Sequence, residues 1–281
     1  MREGTLLVSK ILAEVRDRLE KAGVPGPLLD AELLVAHALN VERYGLIAGR
    51  DRDLGGDEIR RINRLAGRRE RLEPVAYILG SREFYSLDFV VNRDVLIPRP
   101  ETELLVDMAV YYAKMNASVV DIGTGSGAVA VSLKFARRDL DVHATDISSR
   151  ALAVARKNAA RITGKKSVRF HRGDLFGPLG GLRFQVIAAN PPYVDPEAGG
   201  VLQRDLSYEP PTALFAGMGG RETAERIIDE SGNYLEEEGV LIMEIGDDMK
   251  EFAKKTGSRR GYTVSVLNDY AGKPRIAVMK K

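Results

Sequence analysis

The sequence predicts an α/β protein: a mostly parallel seven-stranded sheet wound on both faces by helices, preceded by a small helical domain and a β-hairpin linker. Three observations carry this. Residues 1 to about 75 place apolar side chains at helical spacing, as in Leu7, Ile11 and Val15. From about residue 101 onward, short apolar runs alternate with amphipathic helical segments, the pattern of a parallel sheet covered on both faces. The glycine turn Asp121-Ile122-Gly123-Thr124-Gly125-Ser126-Gly127 stands where the first strand of that alternation becomes a helix.

In the N-terminal part, a second cluster of leucines (Leu28, Leu29, Leu33, Leu34, Leu39) follows the punctuation Val24-Pro25-Gly26-Pro27. A third helix is expected from about Gly56 to Arg71, with Ile59, Ile62 and Leu65 inward and Glu73-Pro74 ending it. Phe84, Tyr85, Phe89, Val90 and Val91 suit strands, so residues 82–92 read as a hairpin between the two parts. The expected division is therefore 1–75 for the helical domain, 76–97 for the linker and 98–281 for the α/β domain. Within the last, helices are expected at Thr102–Lys114, Gly127–Ala136, Ser149–Thr163 and about Glu222–Leu235. Strands are expected at Val119–Ile122, Val142–Thr145, Val168–Phe170, the run ending at Asn190, and Val240–Ile245. Thr263–Leu267 and Ile276–Met279, joined through Gly272-Lys273-Pro274, form an antiparallel pair at one edge.

Composition narrows the function. The chain has 281 residues, 44% hydrophobic and 29% charged, with no cysteine and three scattered histidines. That excludes disulfides and thiol catalysis, and no metal site is expected. No apolar run is long enough for a membrane helix, and the N-terminal segment lacks the apolar centre of a signal peptide, so a cytoplasmic protein is expected. A net charge of +2 is too small to predict nucleic-acid binding. Arg60, Arg64, Arg68 and Arg71 share one helix face beside Arg61 and Arg69, which reads first as a solvated face and second as a docking stripe.

Asn190-Pro191-Pro192-Tyr193 is the most informative motif. It follows the buried-strand run Val186-Ile187-Ala188-Ala189. Neither proline nitrogen can donate to a ladder, so pairing stops and Asn190 is presented at a strand tip, where ligands bind in such sheets. An amide side chain, free carbonyls and an aromatic ring in one place suit a planar nitrogen that carries hydrogens. The glycine loop offers close backbone approach and unpaired helix N–H groups, and Asp146, about twenty residues on, can accept both hydroxyls of a ribose. These features fit any nucleoside-bearing cofactor. Gly123-x-Gly125-x-x-Ala128 also satisfies a dinucleotide fingerprint. Asp121 tilts the choice, since its carboxylate repels a pyrophosphate and suits an ammonium; Asn190 tilts it the same way. Asp174 can accept from the amine of adenine with Leu175 flanking the ring, or simply cap a helix.

With these motifs in view, the chain resembles class I S-adenosylmethionine-dependent methyltransferases of Rossmann-like fold, and more narrowly the HemK family, the release-factor glutamine N5-methyltransferases. The resemblance covers nearly the whole chain. It rests on residues 74–80 (PVAYILG), on Ile97-Pro98-Arg99-Pro100-Glu101-Thr102-Glu103, on the glycine loop and the tetrapeptide, and on Asp269-Tyr270-Ala271-Gly272-Lys273-Pro274-Arg275. It implies methylation of the glutamine side chain in the Gly-Gly-Gln motif of peptide-chain release factors; a monomer is the default expectation. Asp121, Gly123, Thr124, Gly125, Ser126, Gly127, Asp146, Asp174, Leu175 and Asn190 would bind the cofactor. Asn190, Pro191, Pro192 and Tyr193 would hold the glutamine, with Asn190, Pro191 and Tyr193 catalytic. Arg99, Pro100 and Glu101 would belong to a loop closing over cofactor or substrate.

In this reading Asn190 Oδ1 and the Pro191 carbonyl each accept one hydrogen of the substrate NH2, and Tyr193 packs on the flat amide. The tetrapeptide is equally compatible with methylation of an exocyclic amine on a nucleic-acid base, which would require a flipped or single-stranded base. A non-catalytic nucleoside sensor would have no use for Asn190 and Tyr193.

Overall fold

The computed structural model describes residues 6–194 and 204–281, so the first residues of the segment weighed above against a signal peptide lie outside the described residues. The chain divides into two compact units, the first running to Gly80 and taking in Tyr208, the second beginning at Ser81.

The first unit is helical. Helices α1 (Val8–Lys21), α2 (Pro27–Leu39) and α3 (Gly56–Glu70) bury Ile11, Val15, Leu19, Leu34, Val35 and Ile62 in a common core. The periodic leucines predict this, and Pro27 starts α2 with its φ preset for a helix. A short helix α4 (Val75–Leu79) follows Pro74, where the sequence suggests only a stop. The arginine face is more internally paired than its spacing implies. Arg69 is buried against Asp30 at 2.6 Å, Arg68 grips both oxygens of Glu73 at 2.8 Å, and Arg18 reaches Glu70. Arg60, Arg61, Arg64 and Arg71 stay exposed.

The second unit opens with the hairpin β1 (Ser81–Phe84) and β2 (Leu87–Val90). Its turn residues Tyr85 and Ser86 sit at φ +53° and +57°, the left-handed conformation that two-residue hairpins need. The Tyr85 N–H donates to Glu103 Oε1 at 2.8 Å. The hairpin is thus part of the second unit, while the sequence reading sets it apart as a linker.

Seven strands then alternate with helices: α5 (Glu103–Tyr112), β3 (Ser118–Ile122), α6 (Ala128–Ala136), β4 (Asp141–Asp146), α7 (Ser149–Ile162), β5 (Val168–Arg172), β6 (Phe184–Ala189), α8 (Glu222–Ser231), β7 (Leu235–Glu244), α9 (Lys250–Arg259), β8 (Thr263–Asn268) and β9 (Pro274–Lys280). The sheet order is β8-β9-β7-β6-β3-β4-β5, with β9 antiparallel to both its neighbours and the other pairings parallel. The central strands are apolar on both faces. Val119, Val186 and Ala188 enter one core layer, while Val120, Ile122, Ile187 and Ala189 enter the other.

Helix α8 and strand β7 differ from expectation. The helix ends at Ser231, and the strand begins at Leu235 and runs through three glutamates. Buried Leu235 pairs with Phe184 and Val240 with Val186, so the glutamates are accommodated in a bulge. Gly239 is needed there, because a Cβ would come within 2.9 Å of Leu235 and 3.0 Å of the Glu236 backbone. A glutamate run reads as helix or loop, and the tertiary pairing of Leu235 overrides it.

Candidate active site

A cavity of about 560 Å3 opens at the carboxyl ends of the parallel strands, where the strand order reverses between β3 and β6. Each strand end contributes to its lining: Gly123 and Gly125 after β3, Asp146 and Ile147 at the end of β4, Asp174 and Leu175 after β5, and Asn190, Pro191 and Pro192 after β6.

The glycine loop is folded back on the sheet. The N–H groups of Gly123 and Thr124 both donate to the Thr145 carbonyl, at 3.0 and 2.9 Å. Gly127, at φ +82°, lets α6 meet α7 closely, since a Cβ there would stand 3.1 Å from that of Ala155. Gly123 and Gly125 have open space where a Cβ would be, which leaves their backbone accessible. Asp146 takes the Gly125 N–H on Oδ2 and the Ser148 N–H on Oδ1, both at 2.8 Å. Burial raises its pKa above the usual carboxylate value. Each oxygen keeps a second lone pair for a further donor such as a ribose hydroxyl.

Leu175 is held at φ +42°, a left-handed conformation uncommon for a leucine. The turn is rigid. Gly173 N–H donates to the Asp146 carbonyl at 3.1 Å, and Gly173 is so close to Pro178 that a Cβ would fall 2.8 Å from its ring. Asp174 lines the cavity and receives Arg226 Nη2 at 2.6 Å.

The remaining loop residues stand behind the cavity. Asp121 is buried, and its Oδ2 accepts from Thr124 Oγ1 at 2.6 Å and from the Ala130 N–H at 3.2 Å. Its carboxylate therefore ties β3 to the loop and to α6; burial pushes its pKa up to about 6. Ser126 is also buried, and its carbonyl accepts from Asn158 Nδ2 at 2.8 Å. Asp121, Thr124, Ser126 and Gly127 are not among the lining residues, whereas Gly123, Gly125, Asp146, Asp174, Leu175 and Asn190 are.

At the opposite side, β6 delivers Asn190 to the cavity and the double proline ends the strand. Asn190 Nδ2 donates to Thr102 Oγ1 at 3.1 Å, and that hydroxyl donates to Glu244 Oε2 at 2.7 Å. Tyr193 Oη donates to Glu244 Oε1 at 3.4 Å, and Tyr193 lies outside the cavity lining. Burial, then the Glu244 charge, pushes the Tyr193 hydroxyl up to about 12. Glu244 is 1% exposed, and burial raises its pKa.

Arg99, Pro100 and Glu101 are not lining residues either. Arg99 pairs with Glu209, whose Oε2 also accepts the Ile97 N–H at 3.0 Å. The Pro98–Glu103 loop is thus anchored by two buried carboxylates, Glu209 and Glu244. Arg275 of the C-terminal signature reaches Asp247 at 2.9 Å and Asp269 at 3.2 Å, which makes that signature a brace for the end of β7.

Sequence reasoning missed Thr102, Glu244, Glu209 and Asn158. Glu244 carries a usable signal, a single acid in the apolar run Val240–Ile245. Asn158 carries another, a polar residue in the apolar stripe of α7. Glu209, beside two prolines, carries none.

The cavity's features fit a nucleoside cofactor. It has accessible glycine backbone, a carboxylate with spare lone pairs, and the apolar side chains Ile147 and Leu175. Among the described residues, no group of His, Asp and Glu could hold a metal ion, and no helix is long and apolar enough to cross a membrane.

Known proteins resemble this chain over most of its length. Residues 10–80 match the family described as PrmC N-terminal domain, and residues 100–206 match the Methyltransferase small domain family. The release factor glutamine methyltransferase of Geobacter sulfurreducens is 38% identical over 91% of this chain and 89% of its own. That of Aliivibrio fischeri is 34% identical over 98% and 97%. A bifunctional methyltransferase of Rickettsia felis is 32% identical over 96% of this chain, which spans 57% of that longer protein. A methyltransferase structure from Pyrococcus furiosus shares the fold, with a TM-score of 0.55 at 20% identity, covering 76% of this chain and 98% of the other. The chain belongs to the release factor glutamine methyltransferase family.

Proposed function

We propose that this protein methylates the side-chain amide nitrogen of the glutamine in the Gly-Gly-Gln motif of peptide-chain release factors, with S-adenosylmethionine as methyl donor. The observation that carries the reading is Asn190, set on the cavity at the end of β6 with its Nδ2 already bound and its Oδ1 without a hydrogen-bond partner among the described residues. Gly123, Gly125, Asp146 and Leu175 would hold the cofactor, which when bound supplies a methyl group already activated as a sulfonium.

An amide nitrogen is a weak nucleophile because its lone pair is delocalised into the carbonyl. The protein's task is therefore alignment, which supplies roughly 7–11 kcal/mol in favourable cases. Asn190 Oδ1 and the Pro191 carbonyl each accept a hydrogen from the substrate NH2. Two acceptors on one side favour a pyramidal nitrogen and stabilise the positive charge that develops on it. Pro192 restrains Pro191 to extended backbone, which fixes that carbonyl. Tyr193, tied to Glu244, supports the end of the tetrapeptide. The extra proton leaves the nitrogen for water. The first unit, which exposes Tyr44 and Ile47, serves as a docking module for the folded substrate. The enzyme works as a cytoplasmic monomer.

The test is methyl transfer from labelled cofactor to a purified release factor, with the product mapped by mass spectrometry. One methyl on the Gly-Gly-Gln glutamine is the expected result. Label in a nucleic-acid base, or none in the release factor, overturns the reading. Asn190→Ala is expected to lower turnover by at least roughly 10³-fold while leaving cofactor affinity within a few-fold. Near-normal turnover would remove Asn190 from the mechanism.

A further inference from the structure

We propose that Glu244, acting through the hydroxyl of Thr102, fixes which end of the Asn190 carboxamide faces the substrate. Both are positioning residues, and the proposal rests on the methyltransferase reading above. The argument is one of proton counting. A carboxamide presents an acceptor at one end and a donor at the other, and a half-turn about its last bond exchanges them. Only the acceptor end, Oδ1, can take a hydrogen from the substrate NH2. Asn190 with Nδ2 toward the substrate would set donor against donor.

The Thr102 hydroxyl carries a single hydrogen. The Glu244 carboxylate can only accept, and at 2.7 Å it takes that hydrogen. The Thr102 oxygen is then left to accept, and Asn190 answers with Nδ2 at 3.1 Å. Oδ1 is thereby turned away from Thr102. The second carboxylate oxygen is occupied by the Tyr193 hydroxyl, so one buried acid orients both polar side chains of the tetrapeptide. These residues come from four places in the chain: the start of α5, the ends of β6 and β7, and the segment after the double proline. No local conformational preference could set this polarity.

The chain runs the other way when Glu244 is protonated. The acid then donates to Thr102, the hydroxyl hydrogen is released toward Asn190, and the carboxamide turns to present Nδ2. Burial, and in lesser degree Glu101, raise the Glu244 pKa, while the hydrogen bond from Thr102, then Arg275 and Tyr193, favour its charged form. Turnover should accordingly fall on the acid side with the titration of Glu244.

The experiment measures kcat, cofactor affinity and the pH profile of Thr102→Val, Thr102→Ser and Glu244→Gln, each checked for folding by thermal melting. Thr102→Val should lower kcat roughly 30- to 100-fold with cofactor affinity within 2-fold, because the reacting atoms lose alignment while the cofactor contacts stay. Thr102→Ser should recover turnover to within about 3-fold of wild type. Glu244→Gln, whose amide can both give and take, should lower kcat about 10-fold and abolish the acid limb. A Thr102→Val enzyme with wild-type kcat, or an unchanged acid limb in Glu244→Gln, overturns the proposal.

A second readout needs no turnover. In protein carrying ¹⁵N-labelled asparagine side chains, the Asn190 NH2 signal, assigned by its loss in Asn190→Ala, should exchange slowly with solvent in wild type and rapidly in Thr102→Val. Equal exchange in the two would overturn the relay. Absence of methyl transfer by wild type would instead sink the assigned reaction and leave this exchange measurement to decide the relay.

Discussion

The two sides of the cavity are built by different means. On the glycine-loop side, polar groups are fixed by backbone. Asp146 is gripped by N–H groups 21 residues before it and two residues after it. On the Asn190 side they are fixed by side chains from distant parts of the chain. Asn190 meets Thr102 across 88 residues, and Thr102 meets Glu244 across 142. A backbone cradle tolerates changes of side chain and recognises a generic group such as a ribose. A side-chain relay sets one donor and one acceptor and is lost with any member. In the proposed function the first arrangement would bind a common cofactor, and the second would select a particular nitrogen.

That difference also explains what was legible in the sequence. The seven strands, the order of helices and the end of β6 follow from short apolar runs alternating with period-3.6 segments and from the double proline, all local signals. Gly123, Gly125 and Asp146 reach the cavity for the same local reason. Asp121 reads in the sequence as a ligand group at a strand end; in the structure its Oδ2 accepts from the Thr124 hydroxyl of the loop and from the Ala130 N–H of α6, a detail that the local pattern does not carry. Thr102 lies in the Ile97–Glu103 segment without a local signal of its role, because its partners Asn190 and Glu244 lie far away in sequence. The bulge before Val240 was hidden for the same reason, since only the pairing of Leu235 with Phe184 reveals it.

The largest effect expected from breaking the cradle side falls on Asn158. Its amide, fully buried, accepts from the Val90 N–H at 2.8 Å and donates to the Val90 and Ser126 carbonyls at 3.0 and 2.8 Å. It therefore joins the hairpin to the glycine loop. Asn158→Ala removes these bonds and strands buried backbone groups, an expected cost of about 4 kcal/mol. Urea unfolding checks this. A cost under about 1 kcal/mol would mean that water replaces the amide and that the cradle does not depend on this clamp.

A smaller effect concerns Asp121. Burial first, and the Asp146 charge in lesser degree, raise its pKa to about 6, while the hydrogen bonds from Thr124 and Ala130 oppose this. A raised folded-state value means that the folded protein holds the proton more tightly than the unfolded chain. The resulting stability is complete below about pH 4 and is lost as pH rises through about 6, an amount of roughly 3 kcal/mol for a shift of about two units. Asp121→Asn has no such titration. Measured at pH 4 and pH 7, the variant should lose less stability than wild type over that interval. Equal losses would show that Asp121 stays ionised throughout and that its bonds to the loop outweigh its burial.

The finest test sets the two sides against each other. Asp146→Ala deletes the acceptors that would receive the ribose hydroxyls, and each charge-assisted bond contributes about 1.5–3 kcal/mol. The dissociation constant of S-adenosylhomocysteine, measured by calorimetry, should rise about 100-fold, roughly 2.7 kcal/mol. At saturating cofactor, kcat should fall only a few-fold, because Asn190 and its relay are untouched. Asn190→Ala should do the reverse, losing kcat and keeping affinity. The two variants thus separate binding from alignment. If Asp146→Ala lowered kcat as deeply as it weakened binding, the cradle would also be aligning the reacting atoms, and the division of labour between backbone and side chains would have to be redrawn.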